Sequence, residues 1–233
     1  LSGQKWKDPR IKETIVRVKA AGAKSSLITL FNDLETVFRV IDFYQPDIIH
    51  FCEALAGPEE IGNCPENAGS WHYMYTLQEK IKEKFSELMI TRSIPIAEPG
   101  CAEKIPTLEL AGIFASVSDF FLTDTLLLSE SRKNLQAQPV SGFVGITGRI
   151  CDWDMAEKLV NETEVPVILA GGISPENVYN AIMKIRPAGV DSCTRTNRLD
   201  KEGKAVRFNK DPRRVKKMIE ETRRAEEEIK TGK

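Results

Sequence analysis

The feature that most constrains this chain is its rhythm. Short apolar runs without polar alternation are separated, again and again, by stretches of helical periodicity. An unalternated apolar run reads as a strand covered on both faces, and covering both faces of a sheet takes helices. Strands are expected at 26–31, 47–52, 88–93, 119–123, 165–170 and 189–193, and helices at 9–21, 34–44, 75–85, 106–114, 153–161, 175–184 and 212–228. Three helix starts are written alike: Asp8-Pro9, Ser174-Pro175 and Asp211-Pro212 each set a capping side chain before a proline at the first helical position. Gly22 stands where the first helix should stop. Such an α/β alternation suits a doubly wound sheet or a closed eight-fold barrel, and for the barrel the count falls short by one strand–helix unit and one strand.

The bulk properties narrow the function. Basic and acidic residues balance, 33 against 34, whereas nucleic-acid and membrane-surface proteins usually carry a basic excess. No apolar run approaches the roughly 18 residues of a membrane span, and no signal peptide is visible. The five cysteines, Cys52, Cys64, Cys101, Cys151 and Cys193, are scattered without a CxxC pair, which points to reduced thiols in a cytoplasmic protein without a metal site. No linker divides the chain, so residues 1–233 are expected to form one domain. The terminal "RRVKKMIEETRRAEEEIKTGK" reads as a solvated helix or as a contact for a helical partner.

The most specific stretch is "VILAGGISPENVYNAIMKIRPAGVDSCTRTN", residues 167–197. A buried strand runs into Gly171-Gly172, then a helix start, then a second strand ending in small polar residues. The glycines permit either a tight turn or close approach of an anion to their backbone amides, helped by the N–H groups of a helix starting at Pro175.

The order "GGISPENV…IRPAGVD" resembles the end of the phosphoribosylanthranilate isomerase family. "GITGRICDW" (145–153) is similar to that family's GGTGxxFDW segment, and "FFLTDT" (120–125) to the strand bearing its catalytic aspartate. "SLITLFND", "PDIIHFCE" and "GQKW" resemble, more faintly, its third and fourth strands and the loop after the second. The resemblance implies a TIM (β/α)8 barrel lacking the first strand–helix unit and second strand, with enlarged loops at 54–75 and 126–143. It implies an isomerase carrying out the Amadori rearrangement of N-(5'-phosphoribosyl)anthranilate in tryptophan biosynthesis, without cofactor. The family's general base is a first-strand cysteine, and no residue here takes that part.

The same resemblance assigns candidate residues. Asp124 would be the general acid, protonating the furanose ring oxygen; read alone, it could cap the following loop. Gly171, Gly172, Cys193, Thr194 and Gly148 would surround a phosphate. Arg195 replaces a family glycine and could grip the anion, fill substrate space or point to solvent. His50 and Cys52 share a strand face and could serve proton transfer or substrate contact, or simply pack in the core. Two such ligands make no metal site. Arg92, where the family often has lysine, and Lys5 are weaker substrate contacts or ordinary surface cations. "GFVGITG" (142–148) is a lid with glycine hinges or a plain turn, and His72 a surface residue or a lid contact.

The partner expected is a small phosphorylated substrate, with no nucleic acid and no membrane. Two rivals stand beside the isomerase: a diverged barrel binding or converting another phosphorylated sugar or metabolite, and a non-catalytic subunit assembling, as a homo-oligomer or with another partner, through the 54–75 loop with Trp71, Tyr73 and Tyr75.

Overall fold

The computed structural model describes residues 6–55, 71–127 and 143–232. Six parallel strands form one sheet in chain order: β1 (Ser26–Ile28), β2 (Ile48–Phe51), β3 (Met89–Ala97), β4 (Phe120–Leu126), β5 (Val167–Leu169) and β6 (Gly189–Val190). Each passes to the next through a crossover segment carrying a helix, α2 (Leu34–Tyr44), α3 (Trp71–Lys84), α4 (Thr107–Phe114), α5 (Trp153–Glu162) and α6 (Val178–Ile185) in turn; α1 (Pro9–Ala20) precedes the sheet and α7 (Pro212–Thr231) follows it. Strands joined only to sequence neighbours, with helices between, make the curled sheet of a partial (β/α)8 barrel.

Local chemistry explains most boundaries. The Asp8 and Asp211 carboxylates accept the amides of Arg10 and Arg213, each 2.9 Å away, so α1 and α7 start at their prolines as the sequence suggests. Asp33 and Asp152 cap α2 and α5 in the same way. The third proline start differs. Ser174 Oγ accepts the Glu176 amide at 3.2 Å, Asn177 Oδ1 accepts the Ser174 amide at 2.8 Å and Asn177 Nδ2 donates to the Gly172 carbonyl at 3.1 Å, so residues 174–177 form a capped turn and regular α6 begins at Val178.

Two further departures are larger. The aromatic stretch expected in a loop is the first turn of α3, where Trp71, Tyr73 and Tyr75 lie half-buried against the core and Tyr73 donates to the Asn32 carbonyl at 2.9 Å. Part of each ring thus packs on the core; residues 56–70 and 128–142, most of the two long loops, lie outside the described residues, as does Lys5. Between β6 and α7 there is also an antiparallel hairpin, β7 (Asn197–Leu199) with β8 (Ala205–Lys210). Its turn is closed by the Asp200 carboxylate, which accepts the amides of Glu202 and Lys204 at 2.9 and 2.8 Å.

Alternation along β3 decides the place of Arg92. Ile90, Arg92 and Ile94 face the helices, while Thr91 and Ser93 face the barrel interior. Arg92 is therefore not a substrate contact. Its side chain is fully buried, pairs with Glu53 at 2.8 Å, donates to Gln78 Oε1 at 3.3 Å and lies over the Phe114 ring. Burial drives the Glu53 carboxyl upward, partly offset by the guanidinium. Glu53→Ala should strand a buried cation and lower unfolding stability by about 3–5 kcal/mol in urea titrations. A loss under about 1 kcal/mol would contradict the pair's structural role.

Candidate functional site

The carboxyl ends of β4, β5 and β6 converge on one cleft, lined by Asp124, Ile146–Gly148, Ala170–Ile173 and Asp191–Arg195. Its free volume is about 30 Å³, because the segment after residue 143 lies across the mouth. That segment is held on both sides. The Val144 amide donates to the Cys52 carbonyl at 2.8 Å, and Arg195 Nε donates to the Gly148 carbonyl at 2.9 Å.

Glycines set how closely these backbones approach. A Cβ on Gly145 would stand 2.7 Å from both Asp124 carboxylate oxygens, so this backbone rests directly on the candidate acid. A Cβ on Gly172 would meet the backbone of Arg149 and Ile150 at 2.7 Å, and its φ of +67° is itself unfavourable for a side chain. Gly171 is similarly pressed against Thr125 and Cys151, and Gly148 against Thr194. The glycine pair thus packs against the 149–151 segment and lines the cleft.

Asp124 is half-buried on the interior face of β4. Burial first, and then the facing Asp191 carboxylate, push its pKa up to about 7, against a hydrogen bond from Ser93 Oγ at 3.1 Å that pulls it down. A carboxyl titrating there can hold a proton at neutral pH and release it to a substrate. Asp191 is solvent-exposed in area yet crowded by the cleft walls, and this desolvation raises its carboxyl above the ordinary range. It ends the "RPAGVD" run at the exit of the last barrel strand, a signal available in the sequence but not weighed there.

The other candidates separate. Gly148, Gly171, Gly172, Cys193, Thr194 and Arg195 meet at the cleft as expected. Arg195 is exposed, and its Nε is engaged by the Gly148 carbonyl, so part of its fork fastens the loop. At the start expected at Pro175 the Glu176 amide is taken by Ser174 Oγ at 3.2 Å, and regular helix begins at Val178. His50 is buried behind Asp124, its Nε2 at 2.9 Å from Ser93 Oγ; burial and then Arg92 lower its pKa to about 4. Cys52 does not fit a catalytic role: it is 6% exposed, and burial with the Glu53 and Asp124 charges pushes its thiol up to about 12, so no thiolate forms near neutrality. His72 is exposed at the start of α3. Sequence reasoning also passed over Lys210, whose ammonium binds the carbonyls of Ser192 and Cys193 and the Thr196 hydroxyl, bracing the exit of β6. Among the described residues, no cluster of three or more His, Cys, Asp or Glu side chains could hold a metal ion, and no helix is long and apolar enough to cross a membrane.

The N-(5'-phosphoribosyl)anthranilate (PRA) isomerase family model matches residues 110–194, the span containing Asp124 and most of the cleft. Over this span the chain is similar to the phosphoribosylanthranilate isomerases. It is 32% identical over 146 residues to N-(5'-phosphoribosyl)anthranilate isomerase 1 of Methanosarcina mazei, covering 62% of this chain and 56% of the relative. The Methanosarcina acetivorans isomerase is 42% identical over 84 residues, 36% of this chain and 32% of the relative. The chain spans about half the length or less of such curated relatives. In fold, it superposes on phosphoribosyl anthranilate isomerase of Thermotoga maritima with a TM-score of 0.56 at 19% identity, covering 91% of this chain and 80% of that one. A phosphoribosyl anthranilate isomerase in complex with reduced 1-(o-carboxyphenylamino)-1-deoxyribulose 5-phosphate matches at TM-score 0.56 and 18% identity, over 91% and 79% of the two chains.

The glycine contacts give a paired expectation. Gly172→Ala drives a methyl into backbone and should cost at least about 3 kcal/mol. Gly203→Ala, at a similar positive φ but in open space, should cost only about 1 kcal/mol of strain. Equal losses in thermal or chemical unfolding would show that φ alone, not the Arg149 contact, requires glycine at 172.

Proposed function

We propose that this protein is an isomerase that carries out the Amadori rearrangement of N-(5'-phosphoribosyl)anthranilate. The observation that carries the reading is the Asp124 carboxyl, raised to about 7 and set under the Gly145 backbone beside a glycine-lined cleft. The substrate phosphate lies against Gly171, Gly172 and the Cys193–Arg195 turn, where small residues leave backbone accessible. Protonated Asp124 gives its proton to the furanose ring oxygen as the bond from that oxygen to C1 breaks, leaving a protonated Schiff base. Loss of the C2 proton to a base then yields the enolamine, which tautomerises to the amino-ketose. Among the described residues, no side chain is assigned as that base. With the Gly145–Gly148 segment across the cleft, substrate entry requires it to lift, which is the lid role among the alternatives for this stretch.

A second reading keeps the cleft and changes the ligand: another phosphorylated sugar or metabolite. Arg195 favours it, since a large cation closes over Gly148 where the family pattern has glycine.

The test is the decay of phosphoribosylanthranilate fluorescence with the protein as expressed from its gene, across pH. Turnover should fall as pH rises through about 7, because the acid must start protonated, and Asp124→Asn should lower it at least about 100-fold. Absence of turnover by folded wild type that still binds phosphate sinks the isomerase and leaves the second reading. Stability supplies an independent check. A folded-state pKa above the unfolded value means that stability present at low pH is lost as pH rises through about 7. Asn escapes that loss, so Asp124→Asn should be more stable than wild type at pH 8, by about 1–2 kcal/mol given the partial exposure of the carboxyl.

A further inference from the structure

Three side chains on adjacent strands form a continuous hydrogen-bonded line behind the cleft. Asp124 Oδ2 on β4 is 3.1 Å from Ser93 Oγ on β3, and Ser93 Oγ is 2.9 Å from His50 Nε2 on β2. Ser93 is fully buried and His50 nearly so. A serine hydroxyl carries one hydrogen, so it donates to one neighbour and accepts from the other. The line therefore has two complete arrangements. With Asp124 ionised, Ser93 donates to the carboxylate and accepts from His50 Nε2–H, leaving Nδ1 bare. With Asp124 protonated, the carboxylic acid donates to Ser93, which donates to a bare Nε2, and the imidazole proton sits on Nδ1.

We propose that His50 and Ser93 form a proton wire that restores the proton to Asp124 from behind, on the side away from the substrate cleft. The transfer balances with water as the donor: one proton from solvent binds Nδ1, the Nε2 proton passes to Ser93 Oγ, and the Ser93 proton passes to the carboxylate. The net change is one proton gained by Asp124 and one exchange of imidazole tautomer. The wire rests on Asp124 being the acid. It answers a need of that reading, since the Gly145 backbone sits on the carboxyl from the cleft side. Burial keeps His50 from storing charge, so it carries protons by changing tautomer. The groups that tune the line are Asp191 opposite Asp124, the neutral thiols of Cys52, Cys151 and Cys193 around it, and the Arg92–Glu53 pair near the histidine. His50 is a positioning and relay residue, with no contact to substrate.

The chain has two histidines, so 15N-histidine NMR resolves the line directly, His72→Gln giving the assignment. From pH 5.5 to 8.5, His50 should pass from the Nδ1–H to the Nε2–H tautomer with the midpoint of the Asp124 carboxyl, read by 13C. Asp124→Asn should abolish that pH-dependent passage, and Ser93→Ala should uncouple it from the carboxyl titration. In Ser93→Ala the alkaline limb of the turnover profile should also move upward by about half a pH unit, the donor that favours the carboxylate being gone. A single His50 tautomer through the Asp124 titration overturns the wire, as does a coupled switch surviving in Ser93→Ala. If instead Asp124→Asn turns over normally, it is the assignment of the acid that fails, whatever the NMR shows.

Discussion

The site depends on one constraint: the segment running from Val144 to Cys151 must touch the strand ends backbone to side chain and backbone to backbone. Gly145 rests on the Asp124 carboxyl, Gly172 on the Arg149 carbonyl, Gly171 on Thr125 and Cys151, and Gly148 on Thr194. Each contact removes water from the same small volume. Desolvation is the largest cause of the Asp124 shift, so the packing that closes the cleft also raises the pKa of this carboxyl. Loop closure and acid–base tuning are therefore one structural fact, and a glycine whose substitution lifts the loop by an ångström would lower the carboxyl pKa as well.

Alternation shows how much of this was legible in the sequence. The apolar runs located all six barrel strands and the capping pairs located α1 and α7, because those signals act within a few residues. Asp124 and the cleft glycines were legible only through the family resemblance of the segments that carry them, since alone each also reads as a cap or a tight turn. Arg92 was not, although the information existed. If His50 and Cys52 share the interior face of β2, the parallel register that sets His50 beside Thr91 puts Ser93 on that face too and sends Arg92 to the helices. Register between strands is a long-range property, and one residue of offset exchanges the two faces. The hairpin β7–β8 was missed for the opposite reason. Its "LDKEGK" turn signal was local and clear, with Gly203 at φ +78°, but a barrel strand followed by a helix left no place for it.

The start of α6 belongs to a third kind. Ser174-Pro175 does open a capped turn, in which Ser174 Oγ accepts the Glu176 amide while Asn177 turns back to bind both the Ser174 amide and the Gly172 carbonyl, and α6 proper follows at Val178. The Asn177 side chain holds the exit of the glycine pair in place. The side chain that completes the cap thus also fixes the backbone lining the cleft, so the local signal and the site use the same residue.

A related tension runs through Asp124. A carboxyl that prefers its proton near neutrality is destabilising when ionised, and the protein tolerates this because Ser93 donates to the charged form while His50 completes the serine's bonding. Three polar side chains on the interior face of three adjacent strands could have been replaced by a hydrophobic layer at no obvious loss to the fold. Their mutual satisfaction in both protonation states is what the proposed acid, discharged and recharged in each turnover, would require.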